Sequence, residues 1–225
     1  LLDQATELGG LLAGEHAAPL RVAASLTIGE YLLPRLIASW QERHPASVIR
    51  LRIANTSEVI ASVVGLESDL GFIEGPQTHP DLRVHPWLSD ELVIVGAPGH
   101  PLANGLANKT QLAAATWILR EVGSGTRQAT DAWLLAHLNQ VQVGFELGST
   151  EAIKRLAAAG TGLACLSRQA VAEDVEQGRL VELKTRLPVA KRQLAIVDRR
   201  DKLLGRATQD FMAHCNASQA VPLRS

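Results

Sequence analysis

Aromatic residues make up only 4% of the chain, with a single tyrosine, Tyr31, and three phenylalanines. That leaves little for stacking on nucleobases. Positive charge is not in surplus either: 22 Lys and Arg stand against 23 Asp and Glu, for a formal net charge of −1. A chain with this balance is poorly suited to gripping phosphate backbones by itself. No apolar run reaches the roughly 18 residues of a membrane-spanning helix, so no span and no membrane partner are expected. Cysteine is limited to Cys165 and Cys215, too few and too far apart for a zinc knuckle or a disulfide framework. Both read as core thiols of a protein from a reducing compartment. No basic stretch leading into an apolar core opens the sequence, so a cytoplasmic location is expected.

What is present is an ordinary globular composition: 225 residues, 46% hydrophobic and 20% charged, enough for one large domain or two small lobes. Leu1, Ala5, Leu8 and Leu12 follow a coiled-coil seam, so residues 1–19 are expected to be the end of a linker helix and its connector. From residue 20 the pattern becomes regular. A strand is predicted over Leu20–Leu26, then a helix to about Arg43 that Thr27 and Glu30 would open as a capping box. Strands follow over Val48–Ala54 and Asp69–Ile73, with a helix over Ser57–Val64 between them. Two further strands are expected at Leu82–Leu88 and Glu91–Ala97, then a loop over Pro98–Gly105. The cycle then restarts. Strands are predicted at Thr116–Arg120, Val141–Glu146, Gly162–Ser167, Leu180–Lys184 and Arg192–Asp198. Helices are predicted from Gly123 to Leu138, over Ser149–Ala159 and Ala170–Gln177, and finally over Leu203–His214. Two successive α/β units imply two lobes, each a mostly parallel sheet flanked by helices.

Three strand-to-helix junctions carry small polar residues: Ser25-Leu26-Thr27, Gly123-Ser124-Gly125-Thr126-Arg127 and Gly148-Ser149-Thr150-Glu151. Such junctions lie at the carboxyl edge of a parallel sheet, where ligands bind, and a helix N-terminus favours anions. Glycines at 123 and 125 would allow close backbone approach, and Arg127 would add a bidentate grip. The plain alternative is that these Ser and Thr side chains only cap helices. Glu74, between a buried strand and a Gly75-Pro76 turn, is expected near the cleft mouth. It would act there as a hydrogen-bond acceptor, as a partner for Arg127 or Arg120, or simply as a solvated loop charge. Enzyme readings find no support. Gln128 stands where the dinucleotide fingerprint needs its last glycine, no Gly-x-Ser-x-Gly elbow occurs, and the seven histidines form no ligand pair. No catalytic set, no metal site and no cofactor are expected.

The segments Leu20–Pro34, Trp40–Pro45, Asp69–Pro76, Gly99–Leu102, Arg120–Arg127 and Leu156–Ala164, in that order, resemble the regulatory domain of LysR-type transcriptional regulators. The resemblance implies two Rossmann-like subdomains joined by two crossover strands, of the type 2 periplasmic-binding-protein kind. The first would comprise residues 20–96 plus 197–225 and the second 97–196, with crossings near Val95-Gly96 and Ala195-Ile196. It implies a small-molecule effector between the lobes, here an anion or small carboxylate. Ser25, Thr27, Glu74 and Gly75 would face it from the first lobe, and Ser124, Gly125, Thr126, Arg127, Ser149 and Thr150 from the second. The Gly-Ser-Gly-Thr-Arg run resembles the branch of the family that answers to small anions and to sulfur or carbon metabolites. It implies further a homodimer with the Ile28–Arg43 helix at the contact, a tetramer in the full-length protein, and promoter DNA held only by an N-terminal winged helix-turn-helix outside this sequence. A solute-binding protein of the same fold is the alternative.

Overall fold

In a computed structural model, residues 19–217 are described, so the expected linker helix of residues 1–18 lies outside them. The chain enters on β1 (Leu20–Ser25), whose alternating and continuous apolar residues bury both faces. The predicted Thr27–Arg43 helix forms in two parts, a π-helical turn over Ile28–Leu32 running into α1 (Leu33–Arg43). The expected Thr27–Glu30 capping box does not form. Thr27 is itself helical, with φ −56° and ψ −44°, and its side chain makes no cap bond. Charged partners win instead: its hydroxyl accepts from Arg192 and its N–H is donated to Glu74.

Next come β2 (Ile49–Ala54), α2 (Thr56–Val64), opened by a genuine capping box between Asn55 and Glu58, and β3 (Leu70–Glu74). The two strands predicted around Ser89-Asp90-Glu91 are one, β4 (Leu82–Gly96). The polar triplet reads as a turn in sequence, yet Asp90 is buried against Arg192 and the strand runs through it. A short β5 (Leu106–Ala107) and α3 (Lys109–Ala114) lie where no element was expected. The second cycle follows as β6 (Thr116–Arg120), α4 (Gly125–His137), β7 (Gln142–Leu147), α5 (Thr150–Ala158), β8 (Leu163–Ser167) and α6 (Arg168–Glu176). The tail holds β9 (Val181–Glu182), β10 (Lys184–Thr185), β11 (Ala190–Arg199) and α7 (Arg206–Ala217).

Eight of these strands lie in the order β2-β1-β3-β11-β4-β8-β6-β7, with β9 beside β4, while β10 and β5 pair apart. The outer trios β2-β1-β3 and β7-β6-β8 are parallel, as the two α/β cycles require. Between them β11 and β4 run antiparallel to each other and to their neighbours, joining the halves. This is a mixed α/β fold of two lobes linked by two crossover strands.

Each lobe is covered on both faces of its sheet. In the first lobe, Leu20, Val22, Phe72, Trp87, Leu194 and Phe211 pack under α1 and α7, while Ala23, Val59, Val63, Ile73 and Val197 pack under α2. In the second, Leu92, Ile94, Trp117, Leu134 and Ala190 form one cluster, and Val93, Val95, Ile118, Ile153 and Ala164 the other. Each fully buried large side chain contributes about 1.5–3 kcal/mol of burial free energy. Cys165 and Cys215 lie inside these cores, and burial pushes their thiols up to about 11 and about 12. They are therefore poor nucleophiles and read as packing groups.

Candidate functional site

The carboxyl ends of β1, β3 and β6 and the first turns of the helices that follow them meet between the lobes. The meeting point is polar and buried. Glu74, at the end of β3, is 1% exposed. Its Oε1 accepts from the Thr27 backbone N–H at 3.0 Å, and its Oε2 from Thr126 Oγ1 and Arg192 Nη1, both at 2.7 Å. Arg192 also donates through Nη1 to Thr126 Oγ1 at 2.8 Å, through Nη2 to Thr27 Oγ1 at 3.2 Å, and through Nε to Asp90 Oδ2 at 2.7 Å. Asp90 in turn accepts from Ser167 Oγ at 2.8 Å.

Burial alone would raise the Glu74 carboxyl. Arg192 and the Thr126 hydroxyl outweigh it and hold the group below the ordinary carboxylate value. Burial likewise opposes the Arg192 charge, which Glu74 and Asp90 more than restore. The alternative of a solvated loop charge is thus corrected. So is the pairing with Arg127 or Arg120: the partner is Arg192, on a crossover strand. Ser25 Oγ lies beside this carboxylate and is the one buried side-chain N or O atom among the described residues that makes no hydrogen bond.

The start of α4 is docked onto the first lobe by its backbone. Gly125 N–H donates to Thr56 Oγ1 at 3.2 Å, and Ser57 N–H to the Gly123 carbonyl at 3.1 Å. A Cβ on Gly125 would stand 2.1 Å from the Glu74 carbonyl oxygen, so only glycine permits this approach. Gly75, at φ +87°, turns the chain away from the contact and donates its N–H to the Gln193 carbonyl. Ser124 caps α4 through the Arg127 N–H. Arg127 itself is turned back onto its own lobe, to Asp131, Glu146 and the Arg120 carbonyl, at 2.7–2.8 Å.

A second polar group forms where the π-helical turn faces α5. Arg120, 3% exposed, binds the adjacent Glu121 through Nε and Nη2, each at 2.8 Å, and donates through Nη1 to Thr150 Oγ1 at 3.2 Å. Ser149 caps α5 through the Ala152 N–H. Across the lobe boundary the Tyr31 hydroxyl donates to Glu151. Glu151 also meets Lys154, which lies 5.4 Å from the Tyr31 ring centre and bonds Asp174 at 2.8 Å.

The predicted residues therefore divide. Glu74, Gly75, Ser124, Gly125 and Thr126 come together as the lobe contact itself, with Thr27 and Ser25 at its edge. Ser149 and Thr150 belong to the second group, and Arg127 braces α4. Sequence reasoning passed over Arg192 and Asp90. A signal was present: Arg192 is in phase with the apolar Ala190 and Leu194, the inward face of its strand. Among the described residues no cluster of side chains suits a metal ion, and no helix is long and apolar enough to cross a membrane.

A family model described as the LysR substrate binding domain matches residues 13–220. The HTH-type transcriptional regulator YeiE of Escherichia coli (strain K12) is 42% identical over 216 residues, 96% of this chain and 73% of that protein. CysL of Bacillus subtilis (strain 168), another HTH-type transcriptional regulator, is 36% identical over 157 residues, covering 69% of this chain and 52% of its own length. Among solved structures, the Synechocystis PCC6803 CcmR regulatory domain in complex with 2-PG superposes with a TM-score of 0.83 at 30% identity. That match covers 91% of this chain and 98% of the other. The effector binding domain of QuiR in complex with shikimate shares the fold, with a TM-score of 0.80 at 19% identity over 91% of this chain and 97% of the other.

Proposed function

This chain belongs to the family of LysR substrate-binding domains, and from that membership we propose that it senses a small anionic metabolite bound between its lobes. The family is one of transcription regulators rather than enzymes, and the chain is the effector-binding domain of such a regulator. The observation that carries the ligand proposal is the concentration of buried polar side chains at the lobe contact. Thr27, Glu74, Thr126, Arg192, Arg120 and Thr150 all lie there, each at most 6% exposed. Support comes also from the relatives solved with 2-PG and with shikimate, both small acids.

Within this reading the ten candidate residues divide by role. Ser25, Thr27, Ser149 and Thr150 face the effector from the two lobes. Glu74, Gly75, Gly125 and Thr126 hold the lobes in register around it, while Ser124 caps α4 and Arg127 braces that helix within its own lobe. We place the lobe boundary at Asp90–Glu91 on β4 and at Lys191–Gln193 on β11. That is earlier than the expected 96/97 and 196/197 divisions, because it follows which core each strand's side chains join. The effector acts as a population shift: it binds one lobe or dimer geometry better than another, and promoter contacts change accordingly. The domain works as a homodimer in the cytoplasm, in a tetrameric parent whose winged helix-turn-helix holds promoter DNA. Sedimentation showing monomer alone at high concentration would count against the dimer.

The test of ligand class is thermal unfolding of this chain against sulfate, sulfite, phosphate, sugar phosphates, 2-phosphoglycolate and short carboxylates including shikimate. A ligand at a hundred times its Kd stabilises by about 2.7 kcal/mol, a midpoint shift of about 5–10 °C for a chain of this size. A selective shift by one anion supports the reading. No shift by any of them overturns the anionic assignment.

A further inference from the structure

Two buried arginines stand at the lobe contact, and they are neutralised differently. Arg192 is bracketed by Glu74 and Asp90, whose side chains are 1% and 3% exposed. That trio already carries one net negative charge, and the Arg192 donors are spent on the two carboxylates and on the Thr27 and Thr126 hydroxyls. A further anion seated there would meet uncompensated negative charge in a buried site. Arg120 has one carboxylate partner, Glu121, whose side chain is 23% exposed against 2% for the arginine. Because Glu121 is the next residue in the chain and borders water, a side-chain rotation takes its carboxylate into solvent while Arg120 stays in place. Arg120 is fixed from the other side by Thr150, and its positive charge reaches across the lobe boundary to Glu30.

We propose that Arg120 is the anchor for the effector's oxyanion, and that Glu121 is a resident carboxylate which the effector displaces. The proposal rests on the effector-domain reading above and names the chemistry of its site. The bidentate geometry on Nε and Nη2, now filled by Glu121, fits a carboxylate, a phosphate or a sulfate-like group equally. Thr150 Oγ1 accepts from Nη1 and so keeps its own proton to donate to the incoming anion. Exchange rather than addition follows from the neighbours. Glu30 and Glu151 stand nearby on the π-helical turn and on α5, and because Lys154 is already committed to Glu151 and Asp174, an added anion would meet carboxylates without that cation free to offset it. Departure of the Glu121 carboxylate offsets the whole charge of an incoming carboxylate and one of the two charges of a sulfate-like group. In the effector-free domain Glu121 keeps a buried guanidinium from standing unpaired.

The experiment is titration of wild type, Glu121→Gln and Arg120→Lys with inorganic phosphate, sulfate and acetate, followed by thermal unfolding and calorimetry. The three probes separate tetrahedral from planar oxyanions. Glu121→Gln removes the competitor and is expected to bind the responding anion about tenfold more tightly, while Arg120→Lys loses the bidentate grip and binds about tenfold more weakly. If Arg120→Lys does not fold, Glu121→Gln decides alone. An anion that shifts wild type but binds Glu121→Gln no better overturns the anchor and leaves the effector domain standing. Failure of every probe on both wild type and Glu121→Gln overturns the anionic site, and Arg120's role with it.

Discussion

Glu74 shows how one residue can be singled out for the right reason and given the wrong surroundings. Its position after a buried strand and before Gly75-Pro76 marked it in sequence, but nothing local says that a crossover strand 118 positions later supplies its counter-charge. Long-range pairs of this kind leave no spacing signature. The consequence is an energetic dependence that can be measured. Removing one partner of a buried ion pair costs about 3–5 kcal/mol, and Glu74→Gln, which keeps the size of the side chain but only one of its two acceptor oxygens, is expected to cost about 3 kcal/mol or more at neutral pH. Because the folded carboxyl lies below its ordinary value of 4.5, its charge contributes fully above that value. The contribution is lost as pH falls through the lowered value. Urea unfolding should therefore show a constant gap between wild type and Glu74→Gln from pH 8 to about pH 5, narrowing below it. A gap that stays constant in acid while both proteins remain folded would show that Glu74 is not the charged partner described here.

At the scale of elements, the strands with continuous apolar runs and the helices with polar openings were legible, because both signals are local. β1, β6, α4 and α5 fall within a residue or two of their predicted spans. Two of the misreadings share a cause: tertiary charge pairing overrode a local polar cue. Ser89-Asp90-Glu91 resembles a turn, and Thr27 with Glu30 resembles a capping box, until Arg192 is placed against both Asp90 and Thr27. The Gly123–Thr126 junction was legible as a place of close backbone approach, though what approaches is Glu74 and Thr56 of the other lobe. Gly125→Ala puts a Cβ against a backbone oxygen that cannot give way, and is expected to destabilise by about 3 kcal/mol or more. Gly148→Ala, whose Cβ would meet nothing nearer than 3.9 Å, is the control and should stay within about 0.5 kcal/mol. Equal urea midpoints for the two variants would contradict a backbone-docked α4.

The whole molecule is two parallel α/β halves sharing one sheet through β4 and β11, so each lobe's core is separate while the polar contact between them is common to both. That arrangement lets a small change at the contact alter lobe geometry without repacking either core, which is what an effector domain requires. It also divides the contact. The α4 side is closed by Glu74, Arg192 and glycine-permitted backbone packing, while the α5 side holds Thr150, Arg120 and an exchangeable carboxylate. The measurement that tests this division most directly is calorimetric titration of the anion giving the largest thermal shift into wild type, Thr150→Val and Arg127→Gln. Thr150→Val is expected to weaken binding about tenfold, or about 1.4 kcal/mol, while Arg127→Gln, whose guanidinium serves Asp131 and Glu146, stays within about twofold of wild type. Loss of binding in Arg127→Gln with retention in Thr150→Val would put the effector at the start of α4 and contradict the account.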